Sequence, residues 1–173
     1  FSTPPIIRER YAAPALPESP LSSMAAMTAR TPFPTRDELL RRGRLATPAT
    51  SFKEEAAQAG EAAALKAMEA RLRQEIGVAP GGARIVQDAG GQHVILGDLL
   101  VQHLSNIKHM DGRERFYSLI VPTFAEADEI WLAAHNIDGR TVMRREYILA
   151  ARVAGEPNTL LYAVATTERS HMV

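Results

Sequence analysis

Proline is unevenly distributed along this chain of 173 residues, and its distribution limits where a folded domain can lie. Eight of the eleven prolines fall within residues 1–48. Because proline fixes φ and removes a backbone donor, their spacing permits neither a long helix nor a central strand there. We therefore predict an extended, proline-rich arm over residues 1–50, with one helical turn at Arg36–Arg42. The arm has seven basic and four acidic side chains, so it can touch RNA or a partner, although a solvated linker is the simpler interpretation.

The composition excludes several kinds of protein. Lysine plus arginine and aspartate plus glutamate number 20 each, so no overall basic field attracts nucleic acid or an anionic membrane. The absence of cysteine excludes a disulfide scaffold, a thiolate metal site and a cysteine nucleophile. No apolar run approaches the roughly 20 residues of a membrane span, and no signal sequence is visible, so we expect neither membrane association nor secretion. The chain begins with Phe1, as expected of a fragment or a processed product.

The order of the predicted elements indicates an α+β fold. An alanine-rich helix occupies the segment 51–77, since Ser51 and Glu54 fit a capping box and Gly77 supplies the stop. Residues 81–173 form the main domain. Its predicted elements are a hairpin with strands at 84–88 and 93–96, helices at 98–103 and 113–121, and strands at 129–134, 141–153 and 159–167. N-terminal helices and a hairpin thus precede a small antiparallel β-meander.

Two groups of residues could carry chemistry. Their members are His103, Lys108, His109, Arg113, Glu114 and Arg115 in a loop region, and Arg144, Arg145 and Tyr147 in the long middle strand. Such residue types can cleave a phosphodiester without a metal, because a base takes the 2′-hydroxyl proton, a cation stabilises the phosphorane and an acid protonates the leaving oxygen. The alternative is a solvated loop with cross-strand ion pairs.

Strand alternation separates the basic residues of the middle strand. Arg145 and Tyr147 project to one face and Arg144 to the other. We expect the face with Arg145 and Tyr147 to be the open floor of a site, and Arg144 to be dispensable.

Other polar and aromatic residues have structural interpretations. Trp131 is predicted to anchor the core and to face the helix at Arg113–Val121. Asp128 is expected to cap an element or close a turn. The single histidines His93 and His135 are expected to be structural or exposed.

Four segments resemble a known family in their order and spacing. They are Val86–Gly91 with Val94–Leu96, Gly112–Glu114 with Phe116–Thr123, Asp128–Leu132, and Arg144–Ile148. Over residues 83–167 the chain resembles the phage-type barnase–EndoU–colicin–RelE-like nuclease domains at the C-terminus of Mu-like phage head morphogenesis (minor head) proteins. The opening segment Phe1–Pro5 resembles the linker that precedes this domain in such proteins.

The resemblance implies a barnase- or RelE-like fold and a metal-independent endoribonuclease without a cofactor. Its motifs implicate Lys108, Arg113, Arg145 and Tyr147. On chemical grounds we add His103 or His109 as the proton carrier, and Thr166 or Thr167 as a residue that positions phosphate. The expected substrate is tRNA or single-stranded RNA, and the expected location is a phage virion or the bacterial cytoplasm.

Two other functions fit the same residues. A virion structural or assembly module would use the fold to bind portal, capsid or nucleic acid without cutting it. A toxin domain would be held by an immunity protein. The proline-rich arm suits the first of these, because an extended arm can order along a neighbouring protein.

Overall fold

The computed structural model describes residues 34–167 and the backbone of residues 7–9. The α-helices of this part are α1 (Arg36–Arg42), α2 (Phe52–Ala59), α3 (Glu61–Ile76), α4 (Asp98–Leu104) and α5 (Ile120–Ala125), with 3₁₀ helices at Ile107–His109 and Arg113–Leu119. The strands are β1 (Ile7–Glu9), β2 (Arg44–Ala46), β3 (Ala83–Gln87), β4 (His93–Gly97), β5 (Glu129–Ile137), β6 (Arg140–Val153) and β7 (Glu156–Thr167). None of these helices is long and apolar enough to cross a membrane.

The main sheet is built around β6. Strands β5, β6 and β7 form the predicted antiparallel meander, while β3 and β4 form a separate hairpin. Asp138 and Gly139 both have positive φ and make the tight β5–β6 turn, so Ile137 pairs with Arg140. The α+β prediction, with helices and a hairpin before an antiparallel meander, is confirmed.

The sheet has an inner face, which packs against the helices, and an outer face. On the inner face, Ile130 and Tyr147 join Met68, Leu72 and Ile76 of α3 in the main core. The predicted capping box is present, because Ser51 Oγ accepts from the Glu54 amide at 3.2 Å and the Glu54 carboxylate accepts from the Ser51 amide at 2.8 Å. The helix is nevertheless divided at Gly60, whose φ is 90°.

The segment before Ser51 is part of the domain. Thr35 caps α1 through a capping box. Strand β2 pairs in parallel with β6 on the same edge as β5, beyond Ile148, where the pairing of β5 with β6 ends. Ala46 is only 1% exposed. For residues 34–50 the prediction of an independent arm is therefore wrong, because Pro34 and Pro48 flank this segment rather than interrupt it. The rest of the predicted arm lies outside the described residues, apart from β1, which pairs with β5.

Two further predictions need correction. The helix predicted at Arg113–Val121 is a 3₁₀ helix that continues into α5, where Pro122 lies in the first turn and needs no intrahelical donor. Trp131 does not face this helix. Ile130, which is 1% exposed, occupies the core position, and alternation therefore places Trp131 on the outer face of β5.

Candidate active site

The outer face of the meander brings polar side chains from three strands into one row. Trp131 of β5, Glu146 of β6 and Thr166 of β7 are direct cross-strand partners. Since alternate residues share a face, His135 lies on the same side of β5 and Arg144 on the same side of β6. The outer face thus carries a carboxylate, an imidazole, a guanidinium and a hydroxyl within neighbouring register positions.

One polar contact on this face joins a residue of β5 to a residue of β6, His135 to Glu146. His135 Nε2 lies 3.0 Å from Glu146 Oε1, and the two side chains are 36% and 31% exposed. An imidazole and a carboxylate in contact provide the two kinds of group that general acid–base catalysis uses. His135 thus has a chemical partner, although its sequence position alone indicated a structural or exposed histidine.

Arg144 and Glu146 are two positions apart in β6, so they are neighbours on its outer face. Its direct cross-strand partner is the small residue Ala133. A guanidinium keeps its charge throughout the physiological pH range and binds phosphate oxygens through several N–H donors. The outer face therefore carries a cation at Arg144, the residue predicted to be dispensable.

Arg145 and Tyr147 lie on the opposite, inner face, where both meet Asp88. The Tyr147 hydroxyl donates to Asp88 Oδ2 at 2.7 Å, and Arg145 Nη1 lies 3.6 Å from the same oxygen. The other carboxylate oxygen of Asp88 accepts from the amides of Gly90 and Gln92 at 2.9 and 2.7 Å. The alternation that groups Arg145 with Tyr147 is confirmed.

The expectation that this face forms an open floor is wrong. Tyr147 is 1% exposed and packs edge-on against Phe124, with ring centroids 5.0 Å apart. Burial and the hydrogen bond to Asp88 raise the pKa of Tyr147 far above its usual value. The inner face of β6 carries more apolar side chains than its outer face. The helices and the β3–β4 hairpin therefore cover the inner face. Tyr147 therefore serves the core.

Except for the buried Glu114, the candidate residues of the loop region lie at the surface around α4 and the second 3₁₀ helix. The rings of His103 and His109 are 4.4 Å apart, and Lys108 is exposed between them in the chain. The Arg113 side chain donates three hydrogen bonds to Asp111, at 3.0 Å to Oδ1 and at 2.9 and 2.7 Å to Oδ2, and holds the pKa of that carboxyl below its usual value.

Part of this region meets β7 across a groove of about 450 Å³. His103, Arg113 and Thr166 all line the groove. The residues predicted from the sequence thus fall into three places: the buried Asp88 network, the loop surface, and the groove that reaches the outer face.

Several motif residues hold the fold together. The buried carboxylate of Glu114 accepts from the Phe52 amide at 2.9 Å and the Gly112 amide at 2.8 Å, joining α2 to the second 3₁₀ helix. Asp128 accepts from the Ala150 amide of β6 at 2.7 Å, so this bond links two parts of the sheet and does not cap a helix or close a turn. The Trp131 indole donates to Glu129 at 2.9 Å. Within residues 34–167 no three histidine, aspartate or glutamate side chains converge as ligands of a metal ion.

The sequence did contain a signal for the His135–Glu146 pair. The Asp138–Gly139 turn fixes Ile137 opposite Arg140, and counting outwards places His135 and Glu146 on one face. Alternation within β6 alone does not predict this pair, because His135 lies on the partner strand β5.

Comparison with known proteins gives one finding. The model of the family described as phage-Barnase-EndoU-ColicinE5/D-RelE like nuclease2 matches residues 71–173, which is more than half of the chain. Neither a curated protein nor a solved structure matches the chain significantly. The matched region contains the hairpin, the 3₁₀ helices and the whole β5–β7 meander.

Proposed function

Because this chain belongs to the phage-type barnase–EndoU–colicin–RelE-like nuclease family, we propose that it is an endoribonuclease whose reaction takes place on the outer face of the meander. The observation that carries this proposal is the 3.0 Å contact between His135 and Glu146, whose side chains are partly exposed on the outer face. A paired acid and base is what phosphodiester cleavage by an internal hydroxyl requires.

In this proposal Glu146 and His135 transfer the two protons of the reaction. The Glu146 carboxylate accepts the proton of the RNA 2′-hydroxyl as that oxygen attacks the adjacent phosphorus. The imidazolium of His135 donates its proton to the departing 5′-oxygen. The P–O5′ bond breaks, the P–O2′ bond forms, and the products are a 2′,3′-cyclic phosphate and a free 5′-hydroxyl. When RNA binds, the phosphate takes the place of the direct contact between the two side chains.

Arg144 and Thr166 supply the remaining interactions with the phosphate. Both lie on the outer face, Arg144 beside Glu146 along β6 and Thr166 directly across from it on β7. A fixed guanidinium stabilises the extra negative charge that develops in the phosphorane. The Thr166 hydroxyl can donate to a non-bridging oxygen. This assigns Thr166 the phosphate-positioning role predicted for it and transfers the role predicted for Arg145 to its neighbour.

The proposal is tested with a short RNA and its fully 2′-deoxy counterpart, in the presence of EDTA. We expect cleavage of the RNA alone, with a 2′,3′-cyclic phosphate detected by mass spectrometry. His135→Gln and Glu146→Gln should each lower the rate by about 10²–10⁴. His93→Gln is the matched control, because His93 is exposed on the distant β3–β4 hairpin. Its rate should equal that of the wild type.

Three results would contradict the proposal. Cleavage of the 2′-deoxy strand would exclude internal attack by a 2′-hydroxyl. A folded His135→Gln variant with the wild-type rate would exclude the outer-face pair. If the wild-type protein cleaves no RNA, the non-catalytic virion module becomes the better hypothesis. The head-protein context, with capsid or portal partners, stays a prediction, as does the toxin alternative.

A further inference from the structure

We propose that the groove beside β7 is a nucleobase-binding subsite, which seats a base of the RNA while its phosphate lies on the outer face. This inference rests on the proposed function. The groove, of about 450 Å³, lies between β7 on one side and α4, α5 and the second 3₁₀ helix on the other. Its apolar wall includes Leu100, Leu104, Phe116, Ile120 and Phe124. An apolar cleft of about 300–1,000 Å³ with a few polar groups is typical of small-molecule sites.

The free edge of β7 forms part of the groove. Among the described residues, β7 pairs with β6 alone, so its other edge has no strand partner there. The six consecutive residues Leu161 to Thr166 all line the groove. Because successive side chains of a strand point to opposite faces, such a run requires that the strand edge itself lies in the wall. That edge offers backbone N–H and C=O groups, which can pair with the donors and acceptors of a base.

Two aromatic side chains beside the β7 edge are suited to stacking. Tyr162 is 51% exposed and shares the outer face with Thr166 by strand alternation, and Phe116 lines the groove from the side of the helices. A guanidinium already lies near Phe116, with Arg115 Cζ 5.9 Å from the ring centroid. Aromatic rings and arginine planes are the usual stacking partners of unpaired bases in single-stranded nucleic acids.

The groove is continuous with the proposed reaction centre. Thr166 lines it and is also the direct cross-strand partner of Glu146. Adjacent strands lie about 4.8 Å apart, so the groove begins one strand spacing from the strand that carries Glu146. A nucleotide can therefore place its base beyond the β7 edge and its phosphate over β6. This continuity favours a nucleotide over an occupant unconnected with the outer face.

Charge at one end of the groove also favours a nucleic acid. His103 and Arg113 line it, and Lys108 and His109 follow in the adjoining 3₁₀ helix. Within the described part of the chain Lys108 makes no ion pair, whereas Arg113 is bound to Asp111. These groups can attract the phosphate of a flanking nucleotide. The subsite thus gives a common binding role to His103, Lys108, His109 and Arg113.

Binding is measured separately from cleavage. The four ribonucleoside 3′-monophosphates are titrated into the full chain and followed by amide NMR and calorimetry. We expect the largest shift changes at Leu161 to Thr166. Tyr162→Ala should weaken binding about 5- to 100-fold, the loss expected for one stacked base, and Phe116→Leu should weaken it as well. Ile85→Ala is the control, since Ile85 is 67% exposed on the β3–β4 hairpin and does not line the groove. It should bind as the wild type does.

The outcomes separate this inference from the proposed function. If RNA is cleaved but the mononucleotides leave residues 161–166 unchanged, the base subsite is wrong and the nuclease proposal stands. If the mononucleotides bind there and no RNA is cleaved, the subsite stands and the nuclease proposal fails. If a short peptide of alternating valine and glutamate perturbs the same amides and the mononucleotides do not, the groove is a strand-docking edge and the inference is overturned.

Discussion

The Tyr147 hydroxyl donates a 2.7 Å hydrogen bond to Asp88 and so joins the central strand of the sheet to the turn of the β3–β4 hairpin. Tyr147→Phe removes this donor and leaves the buried carboxylate with fewer partners. We expect the free energy of unfolding to fall by about 1–3 kcal/mol, measured by urea denaturation. Tyr162→Phe is the control, because Tyr162 is 51% exposed, and it should change stability little. Equal losses in the two variants would mean that the Asp88 bond contributes nothing.

Arg144 and Arg145 are adjacent in sequence, but substitution of the first should reduce activity and substitution of the second should reduce stability. Arg144→Ala should slow RNA cleavage by about 10²–10³, because it removes a charge from the outer face. Arg145→Ala should lower the free energy of unfolding by about 1–3 kcal/mol, because it leaves the buried Asp88 without its cation. At a temperature where both variants are folded, Arg145→Ala should cleave normally. Loss of activity in Arg145→Ala alone would restore the inner face as the reaction centre.

Tyr117 should make the protein sensitive to alkali. Burial raises the pKa of Tyr117 to about 12, with a smaller contribution from the charge of Glu114. The unfolded chain loses this phenolic proton near pH 10 and the folded protein only near pH 12, so stability should fall as pH rises across that window. The loss should be about 2 kcal/mol, measured as urea midpoints from pH 9 to pH 12.

A control identifies the residue responsible. The variant Tyr117→Phe lacks this phenolic proton. Its loss of stability at high pH should therefore be smaller by the contribution of Tyr117, while the contribution of Tyr147 remains. An unchanged alkaline profile in Tyr117→Phe would contradict the assignment.

In strand β2 the stability of the protein should depend on side-chain size at Ala46 and not at Leu45. Ala46 is 1% exposed and packs with Leu119, Leu149 and Ala151. Ala46→Leu should therefore cost about 1–3 kcal/mol through overpacking. Leu45 is 51% exposed, so Leu45→Ala should be nearly silent in the same thermal or urea experiment. If both substitutions are silent, residues 44–46 are not part of the folded sheet.

Trp131 should report ligand binding on the outer face. It is the single tryptophan of the chain and the direct cross-strand partner of Glu146. Binding of a 2′-O-methyl oligonucleotide, which lacks the attacking hydroxyl, should change the intensity or wavelength of its fluorescence. The β3–β4 hairpin variant Ile85→Ala should give the same titration. Saturation detected by another method, without any change in Trp131 emission, would place the RNA elsewhere.

Local rules predicted the elements better than they predicted which face of the sheet is open. The capping box at Ser51 and the turn at Asp138–Gly139 depend on neighbouring residues, and both are present. The face of Tyr147 depends instead on where α3, α5 and the hairpin pack, which periodicity within β6 cannot specify. Asp88 illustrates the difficulty, since its partners Tyr147 and Arg145 lie in an element far along the chain. Prolines likewise indicated an arm, although the segment between Pro34 and Pro48 is free of them.

The parallel pairing of β2 with β6 also affects how the protein folds during synthesis. The Arg152 side chain donates to the Gly43 carbonyl across 109 positions of sequence. Such non-local contacts slow folding, because a long loop must close before they form. As the chain leaves the ribosome, β2 waits until β6 has emerged, and the His135–Glu146 pair cannot assemble before then. The proposed reaction centre therefore forms only after β6 has been synthesised, and the growing chain lacks it until then.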